Sequence, residues 1–246
     1  MTPHTATANH SLGKSLFLHL FPGLLTGICY YALINPLHRL GFPSLMALMV
    51  SVAVVLVPVE LGYLLFLGNK KNGKPSLKNI IYYGKSIPLK QYFIWVPIII
   101  LIMGLIFTLL KPVDIFIQNN IFNWLPSFES GLEGGFSRSA LIVTYAMLAV
   151  FGAVVAPIVE ELYFRGYLLP KMSFAGKWAP LLHSFLFGLY HMWTPLVLGP
   201  PTIGILPLIY AVKRKNIKVG IMAHCMMNLV DVIFGVIFIN GLSGGM

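Results

Sequence analysis

Long apolar stretches separated by short polar segments make up most of the chain. A helix that crosses a bilayer needs about 20 mostly apolar residues. Stretches that approach or reach this length lie at residues 15–34, 43–67, 92–111, 138–160, 178–198, 200–212 and 217–239. The pattern predicts an all-α fold, a polytopic membrane helix bundle with about seven transmembrane helices, and a count of six or eight is also compatible with it.

Two of these stretches are less regular than the others. The stretch at 200–212 is short and follows a Gly-Pro-Pro sequence, so we expect a tilted, partial or re-entrant span there. The preceding stretch can break near Trp193-Thr194-Pro195. The run at 15–34 lacks a convincing small-residue cleavage site, and we interpret it as a retained helix rather than a signal peptide. Since no internal repeat is visible, we expect one integral membrane domain over residues 1–246.

The composition agrees with a membrane protein. Hydrophobic residues make up 57% of the chain and charged residues only 10%, whereas about 25% of the residues of a soluble domain are charged. The mean hydropathy is +0.83. These values exclude an ordinary soluble domain, a disordered chain and a disulfide-rich secreted module. Cys29 and Cys225 both lie inside apolar stretches and cannot build a disulfide framework.

The distribution of charge predicts the orientation. The chain has 17 Lys and Arg against 7 Asp and Glu. With the N-terminus in the cytoplasm, fourteen basic residues fall in inside segments and three, Arg39, Lys111 and Arg138, fall outside. This is the asymmetry of the positive-inside rule, so the net charge indicates a cytoplasmic N-terminus rather than a nucleic-acid partner. An additional role of the lysine-rich loop at 69–90 in holding anionic lipid or an acidic partner stays open.

Ionisable side chains inside apolar stretches are costly in lipid and therefore mark candidate functional positions. The first group ends the fourth stretch, where Glu160 and Glu161 are followed by Arg165. Because successive helix residues are about 100° apart, the two glutamates face different directions, and Glu161 can pair with Arg165 at i,i+4. Glu160 is then the carboxylate without a local cation. The alternative is an interfacial charge cluster that ends a helix.

Histidines occupy two later stretches. Phe187 and His191 are one turn apart in the fifth, while His224 and Asn228 share one face of the seventh, which Asp231 continues. Measured along each helix from its basic end, these polar side chains and the Glu160 carboxylate can lie in the same half of the bundle. A carboxylate, two imidazoles and a carboxamide in one buried pocket can form a hydrolytic site or a metal site.

The alternative interpretation of the histidines is structural. Polar side chains on transmembrane helices commonly hydrogen-bond to neighbouring helices. We favour this role for His183, two turns before His191, and it remains an alternative for the other polar positions.

Three short motifs carry a resemblance to a known family. In chain order, Glu-Glu-x-x-x-Arg at 160–165, Phe-x-x-x-His at 187–191 and His-x-x-x-Asn at 224–228 resemble the motifs of the CPBP family. These are the CAAX-protease and bacteriocin-processing intramembrane proteases, also called Abi, and the type II CAAX prenyl endopeptidases belong to the same group. The resemblance covers residues 138–240, which would be the catalytic core, and the first three stretches carry no matching motif.

The resemblance implies a helix bundle around a cavity that opens to the cytosol, and hydrolysis of a peptide bond without a cofactor. Glu160 would be the general base that activates water, with His191 helping to hold that water. His224 and Asn228 would donate hydrogen bonds to the oxyanion of the tetrahedral intermediate. The site-organising residues would be Glu161, Arg165 and Phe187.

Two alternatives stay open. A zinc-dependent protease could bind the metal through Glu160, His191 and His224, although Asn228 is a poor zinc ligand. A non-catalytic immunity or scaffold protein could bind a peptide in the same cavity. We expect membrane lipid and a peptide or protein with a membrane-associated segment as partners, and no nucleic acid. The short chain and its charge pattern are compatible with a prokaryotic plasma membrane, so prenyl specificity is not carried over from the resemblance.

Overall fold

The computed structural model describes residues 9–125, 128–191, 193 and 200–241. The helices are α1 (Leu12–Arg39), α2 (Ser44–Asn72), α3 (Leu89–Asn120), α4 (Arg138–Lys171), α5 (Ala179–Tyr190), α6 (Pro200–Gly204), α7 (Leu206–Arg214) and α8 (Ile217–Gly241). The described residues contain no strand, and an isolated bridge joins Gly84 to Asn216. The predicted all-α membrane bundle is therefore confirmed.

Within the described residues, five helices are long and apolar enough to cross a membrane, namely α1, α2, α3, α4 and α8. The predicted fifth and sixth spans correspond to shorter helices. Helix α5 has 12 residues, which gives a length of about 18 Å against a hydrocarbon core of about 30 Å. Helices α6 and α7 have 5 and 9 residues. The break expected at Trp193-Thr194-Pro195 lies, apart from Trp193, outside the described residues.

The largest difference from the expected boundaries is in α4. The apolar stretch ends at Glu160, yet the helix continues to Lys171 through a π-helical segment, Glu161–Leu168. Every side chain of this segment is buried. The charged side chains therefore face the protein interior rather than a membrane interface, and the helix extends beyond the apolar stretch because charge alone does not end a helix.

The basic connections of the chain meet at one face of the bundle, which we call the basic face. Backbone hydrogen bonds join them: His10 N–H donates to the Lys171 carbonyl, Tyr82 N–H to the Gly166 carbonyl and Ile217 N–H to the Tyr83 carbonyl. The segment before α1 and the α2–α3, α4–α5 and α7–α8 connections thus lie together, as the alternation of the predicted spans requires. The assignment of this face to the cytoplasm stays a prediction.

The α1–α2 and α3–α4 connections meet at the opposite face. Leu45 N–H donates to the Glu129 carbonyl at 3.0 Å, and Glu129 N–H donates to the Ser44 hydroxyl at 2.7 Å. These contacts join the first turn of α2 to the α3–α4 connection.

Two close contacts hold α1 against the helices that carry the predicted site. A Cβ added at Gly23 would lie 2.2 Å from the Tyr190 carbonyl oxygen, so only glycine permits this approach of α1 to α5. The Tyr163 hydroxyl donates to the Leu18 carbonyl at 2.7 Å and joins α4 to α1. Helices α2, α4, α5 and α8 then surround the space in which the candidate residues meet.

Candidate active site

The candidate residues meet well inside the bundle, on the side of the basic face. Glu160 lies about 16 Å before the end of α4, His191 follows α5 at about 18 Å from its start, and His224 lies about 10 Å into α8. The similar depths bring residues from three helices to one level, as the sequence predicted.

The centre of the cluster is the Glu160 carboxylate, which is buried. His191 Nε2 lies 3.9 Å from Glu160 Oε1, and His224 Nε2 lies 3.8 Å from Glu160 Oε2. One imidazole nitrogen therefore faces each carboxylate oxygen. Three of the four residues predicted to be catalytic are in this way brought together by α4, α5 and α8.

The orientation of His191 is set by the end of α5. Its Nδ1 atom lies 2.8 Å from the Phe187 carbonyl oxygen, one turn earlier. Phe187 belongs to the last turn of α5, which ends at Tyr190. A carbonyl can only accept, so Nδ1 carries the proton, and the Nε2 atom of the neutral ring presents its lone pair on the side of Glu160.

A second carboxylate, Glu161, links α4 to α8. Its Oε1 atom accepts from His224 Nδ1 at 3.1 Å and lies 3.2 Å from Arg165 Nη1. The predicted i,i+4 pair of Glu161 and Arg165 is thus present in the structure, and both side chains are fully buried. The Arg165 guanidinium lies 4.0 Å from the centre of the Phe187 ring, which covers it from the side of α5.

Close packing of α8 supports this arrangement. A Cβ at Gly220 would lie 2.8 Å from Glu161 Oε2 and 2.4 Å from a Val212 methyl group. The absence of a side chain at Gly220 therefore lets α8 approach the carboxylate, one turn before His224.

Asn228 has a different neighbour from the other candidates. Its Nδ2 atom donates to the Gly152 carbonyl at 2.9 Å. Gly152 belongs to the π-helical segment Leu148–Val155 of α4, where the irregular hydrogen-bonding pattern leaves carbonyls available to side chains. One N–H of the Asn228 amide therefore ties α8 to α4. Asp231, further along the same stripe, is exposed.

Two residues of the cluster were not predicted. The Tyr190 hydroxyl lies 2.7 Å from Glu60 Oε1 and 3.3 Å from Glu160 Oε1. Glu60 is fully buried on α2. It is the one charged residue in the apolar stretch 43–67, so the criterion applied to the other stretches would have selected it. Tyr190 gives no comparable signal, because tyrosine is common in transmembrane helices.

His183 belongs to a separate pair. Its Nδ1 atom lies 2.9 Å from His19 Nε2, and His19 Nδ1 lies 2.7 Å from the Ser15 carbonyl oxygen. Both rings are fully buried between α1 and α5. This is the hydrogen bond between helices that we favoured for His183.

A cavity of about 410 Å³ lies at the basic face. Its lining includes Arg165 together with Tyr82, Leu169, Pro170, Met172, Ser173, Gly176, Ala179, Pro180, Val212 and Lys213. It approaches the cluster from the side of Arg165, and Glu160 and the two histidines are not part of its lining.

Among the residues that the structure describes, no group of three or more His, Cys, Asp or Glu side chains is placed to hold a metal ion. The zinc-dependent alternative stays a prediction.

Fold and site together define a polytopic membrane protein whose interior holds a carboxylate flanked by two imidazoles. Residues 142–230 match the family described as type II CAAX prenyl endopeptidase Rce1-like, so this part of the chain is similar to the CAAX proteases. Comparison with curated proteins and with solved structures gave no match. This match supports the predicted family and the general class, an intramembrane CAAX-type endopeptidase, while the catalytic residues and the substrate stay predictions.

Proposed function

We propose that the protein cleaves a peptide bond of a membrane-associated protein or peptide, with Glu160 as the general base that activates water. The observation that carries this proposal is the buried Glu160 carboxylate with an imidazole nitrogen facing each of its oxygens, at 3.9 and 3.8 Å. The match of residues 142–230 to the Rce1-like family supports the reaction class.

The separations suit a bound water molecule. A direct hydrogen bond between nitrogen and oxygen is about 2.7–3.2 Å long, so the imidazole–carboxylate distances leave room for a bridging water. In the proposed step, Glu160 accepts a proton from this water while His191 Nε2 accepts the hydrogen bond of its second proton. The water oxygen bonds to the scissile carbonyl carbon. Glu160 then transfers the proton to the departing amine as the carbon–nitrogen bond breaks.

His224 is our proposed donor to the oxyanion. Because its Nδ1–H donates to Glu161, the Nε2 atom carries a proton only when the ring is an imidazolium. Glu161 on one side and Glu160 on the other flank that cation, and Arg165 offsets the charge of Glu161. Asn228 would add the second N–H of its amide, the first being donated to Gly152.

We propose that the basic face is cytoplasmic, that the protein lies in a prokaryotic plasma membrane, and that the substrate enters from that side. The meeting of four basic segments at one face supports this orientation.

The decisive experiment compares two carboxylate-to-amide variants of the purified protein in liposomes. Glu160→Gln should lower cleavage of a membrane-anchored, fluorogenic peptide library by about 10²–10⁴-fold, the usual contribution of a general base. Glu129→Gln is the matched control, since it makes the same change at the opposite face, and should retain full activity. A fully active Glu160→Gln protein would overturn the proposal.

The same assay with a chelator distinguishes the zinc-dependent alternative from the proposed mechanism. We expect unchanged cleavage after exhaustive treatment with a strong zinc chelator and less than stoichiometric zinc by elemental analysis. Loss of activity that zinc alone restores would assign the reaction to a metal. If wild-type and Glu160→Gln proteins both capture a peptide from the library but neither cleaves it, the protein is a binding protein and not an enzyme.

A further inference from the structure

The contact of Tyr190 with two glutamates sets a condition on their protons. A tyrosine hydroxyl has one proton to donate and can also accept. It lies within hydrogen-bond distance of both Glu60 Oε1, at 2.7 Å, and Glu160 Oε1, at 3.3 Å. If both carboxyl groups were ionised, one of the two contacts would place oxygen lone pairs against each other. Both contacts are favourable only when one of the two glutamates is a protonated acid.

The surroundings decide which glutamate is protonated. Glu60 is fully buried, and its second oxygen, Oε2, has no hydrogen-bond partner among the described residues. Burying a carboxylate without a paired cation is strongly unfavourable, and the group remains neutral instead. Glu160 has His191 and His224 beside its oxygens. The proton therefore belongs to Glu60, and the charge belongs to Glu160.

We infer that Glu60 is a positioning residue for the proposed general base, an inference that rests on the proposed function of Glu160. As a neutral carboxylic acid, Glu60 donates its hydrogen bond to the Tyr190 oxygen. The Tyr190 proton is then directed to Glu160 Oε1. This fixed order of donors holds the Glu160 carboxylate in the orientation in which its oxygens face the two imidazoles. Glu60 lies on α2, which is outside the matched residues 142–230.

Two substitutions of Glu60 separate this role from simple packing. Glutamine at this position keeps an N–H donor for Tyr190 and has no charge, so Glu60→Gln should retain kcat within about twofold. Leucine fills a similar volume without a donor, so Glu60→Leu should lower kcat by about 10- to 100-fold, as expected when a catalytic group is displaced by about 1 Å. KM should change little, because Glu60 does not face the substrate. Tyr190→Phe should have the same effect.

The two residues act in series, so their effects should not add. The double variant Glu60→Leu with Tyr190→Phe should be no slower than the worse single variant. Ser51→Ala is the matched control on α2, because it removes a buried hydroxyl that donates only to the Ala47 carbonyl in its own helix. It should leave kcat unchanged. If Glu60→Leu lowers the yield of folded protein but leaves kcat per folded molecule unchanged, Glu60 is merely structural and the inference fails.

A spectroscopic measurement tests the proton directly and needs no activity. Infrared spectra at neutral pH should show a carboxylic-acid C=O band that Glu60→Gln loses and that Ser51→Ala retains. A band left unchanged by Glu60→Gln would show that Glu60 is ionised and would overturn the inference. The two proposals fail separately: an active Glu160→Gln protein overturns the role of Glu160, whereas the infrared result speaks only to Glu60.

Discussion

Helices α4, α5 and α8 and helices α1 and α2 contribute to the same site in different ways. The first group carries every catalytic candidate that the sequence singled out, and the family match starts within α4, at residue 142. The second group carries no recognisable motif. It nevertheless supplies Glu60, and Gly23 lies against the Tyr190 backbone.

Residues that react and residues that position them leave different traces in a sequence. A motif records the side chains proposed to touch the reacting atoms, which must be of one chemical type at one spacing. The helices that hold those side chains in place need only pack closely and satisfy buried polar groups, and many apolar sequences can do this. A reading based on motifs therefore identifies the reacting groups and misses the residues that position them.

The largest loss of stability should come from removing Arg165, the buried cation of α4. Arg165 is fully buried, lies 3.2 Å from Glu161 and covers the Phe187 ring. Arg165→Met removes the guanidinium that pairs with the buried Glu161 charge, which should lower the free energy of unfolding by about 3–5 kcal/mol. The loss is measured by denaturant titration in detergent micelles.

Arg138→Met is the matched control for this prediction. It makes the same substitution at an exposed position of the same helix and should leave the unfolding midpoint almost unchanged. Adding Glu161→Gln to Arg165→Met should recover part of the stability, because the unpaired charge is then absent. Equal midpoints for Arg165→Met and Arg138→Met would show that the buried pair does not stabilise the fold.

The features that the sequence predicted well are local. The pairing of Glu161 with Arg165 follows from a spacing of four residues in a helix, and the position of His191 one turn after Phe187 follows from the same rule. The apolar stretches located the five long helices for the same reason, since span length depends only on neighbouring residues.

The features that the sequence did not predict depend on packing between helices. The apolar stretch of α4 ends at Glu160 and the following charges resemble an interface, but those charges are paired inside the bundle. Asn228 bonds to the Gly152 carbonyl because α4 is π-helical there, which no residue pattern indicates. The partner of His183 is His19, 164 positions away in the chain. Such contacts depend on how the helices pack against each other and cannot be inferred from one stretch of sequence.

A moderate loss of stability and activity should follow from separating α1 from α5. In Gly23→Ala the new Cβ would lie 2.2 Å from the Tyr190 carbonyl oxygen and 2.8 Å from its ring. Backbone atoms cannot rotate away, so the helices must move apart, at a cost of about 1–3 kcal/mol. Because Tyr190 also contacts Glu160, kcat should fall together with stability. Thermal unfolding and the peptide assay measure the two effects on the same preparation.

Gly13→Ala provides the comparison on the same helix. Nothing lies within 4 Å of a Cβ at Gly13, and alanine is more favourable than glycine in a helix by about 1 kcal/mol. This variant should be at least as stable as the wild type and fully active. If Gly23→Ala behaves like Gly13→Ala, the close approach of α1 is not required to position Tyr190.

The smallest change in stability should come from substitutions at the C-terminal end of α1. His38 at that end pairs with Glu129 of the α3–α4 connection, and both side chains are more than one third exposed, at 39% and 37%. An exposed pair contributes about 0–1 kcal/mol, since water and salt screen it. His38→Gln, Glu129→Gln and the double variant should therefore shift the unfolding free energy by less than 1 kcal/mol in total and should not change cleavage. A coupling energy between His38 and Glu129 as large as the loss in Arg165→Met would contradict this. It would mean that α1 is held mainly by its far end rather than by its contacts with Tyr190 and Tyr163, and that the two groups of helices are joined away from the site.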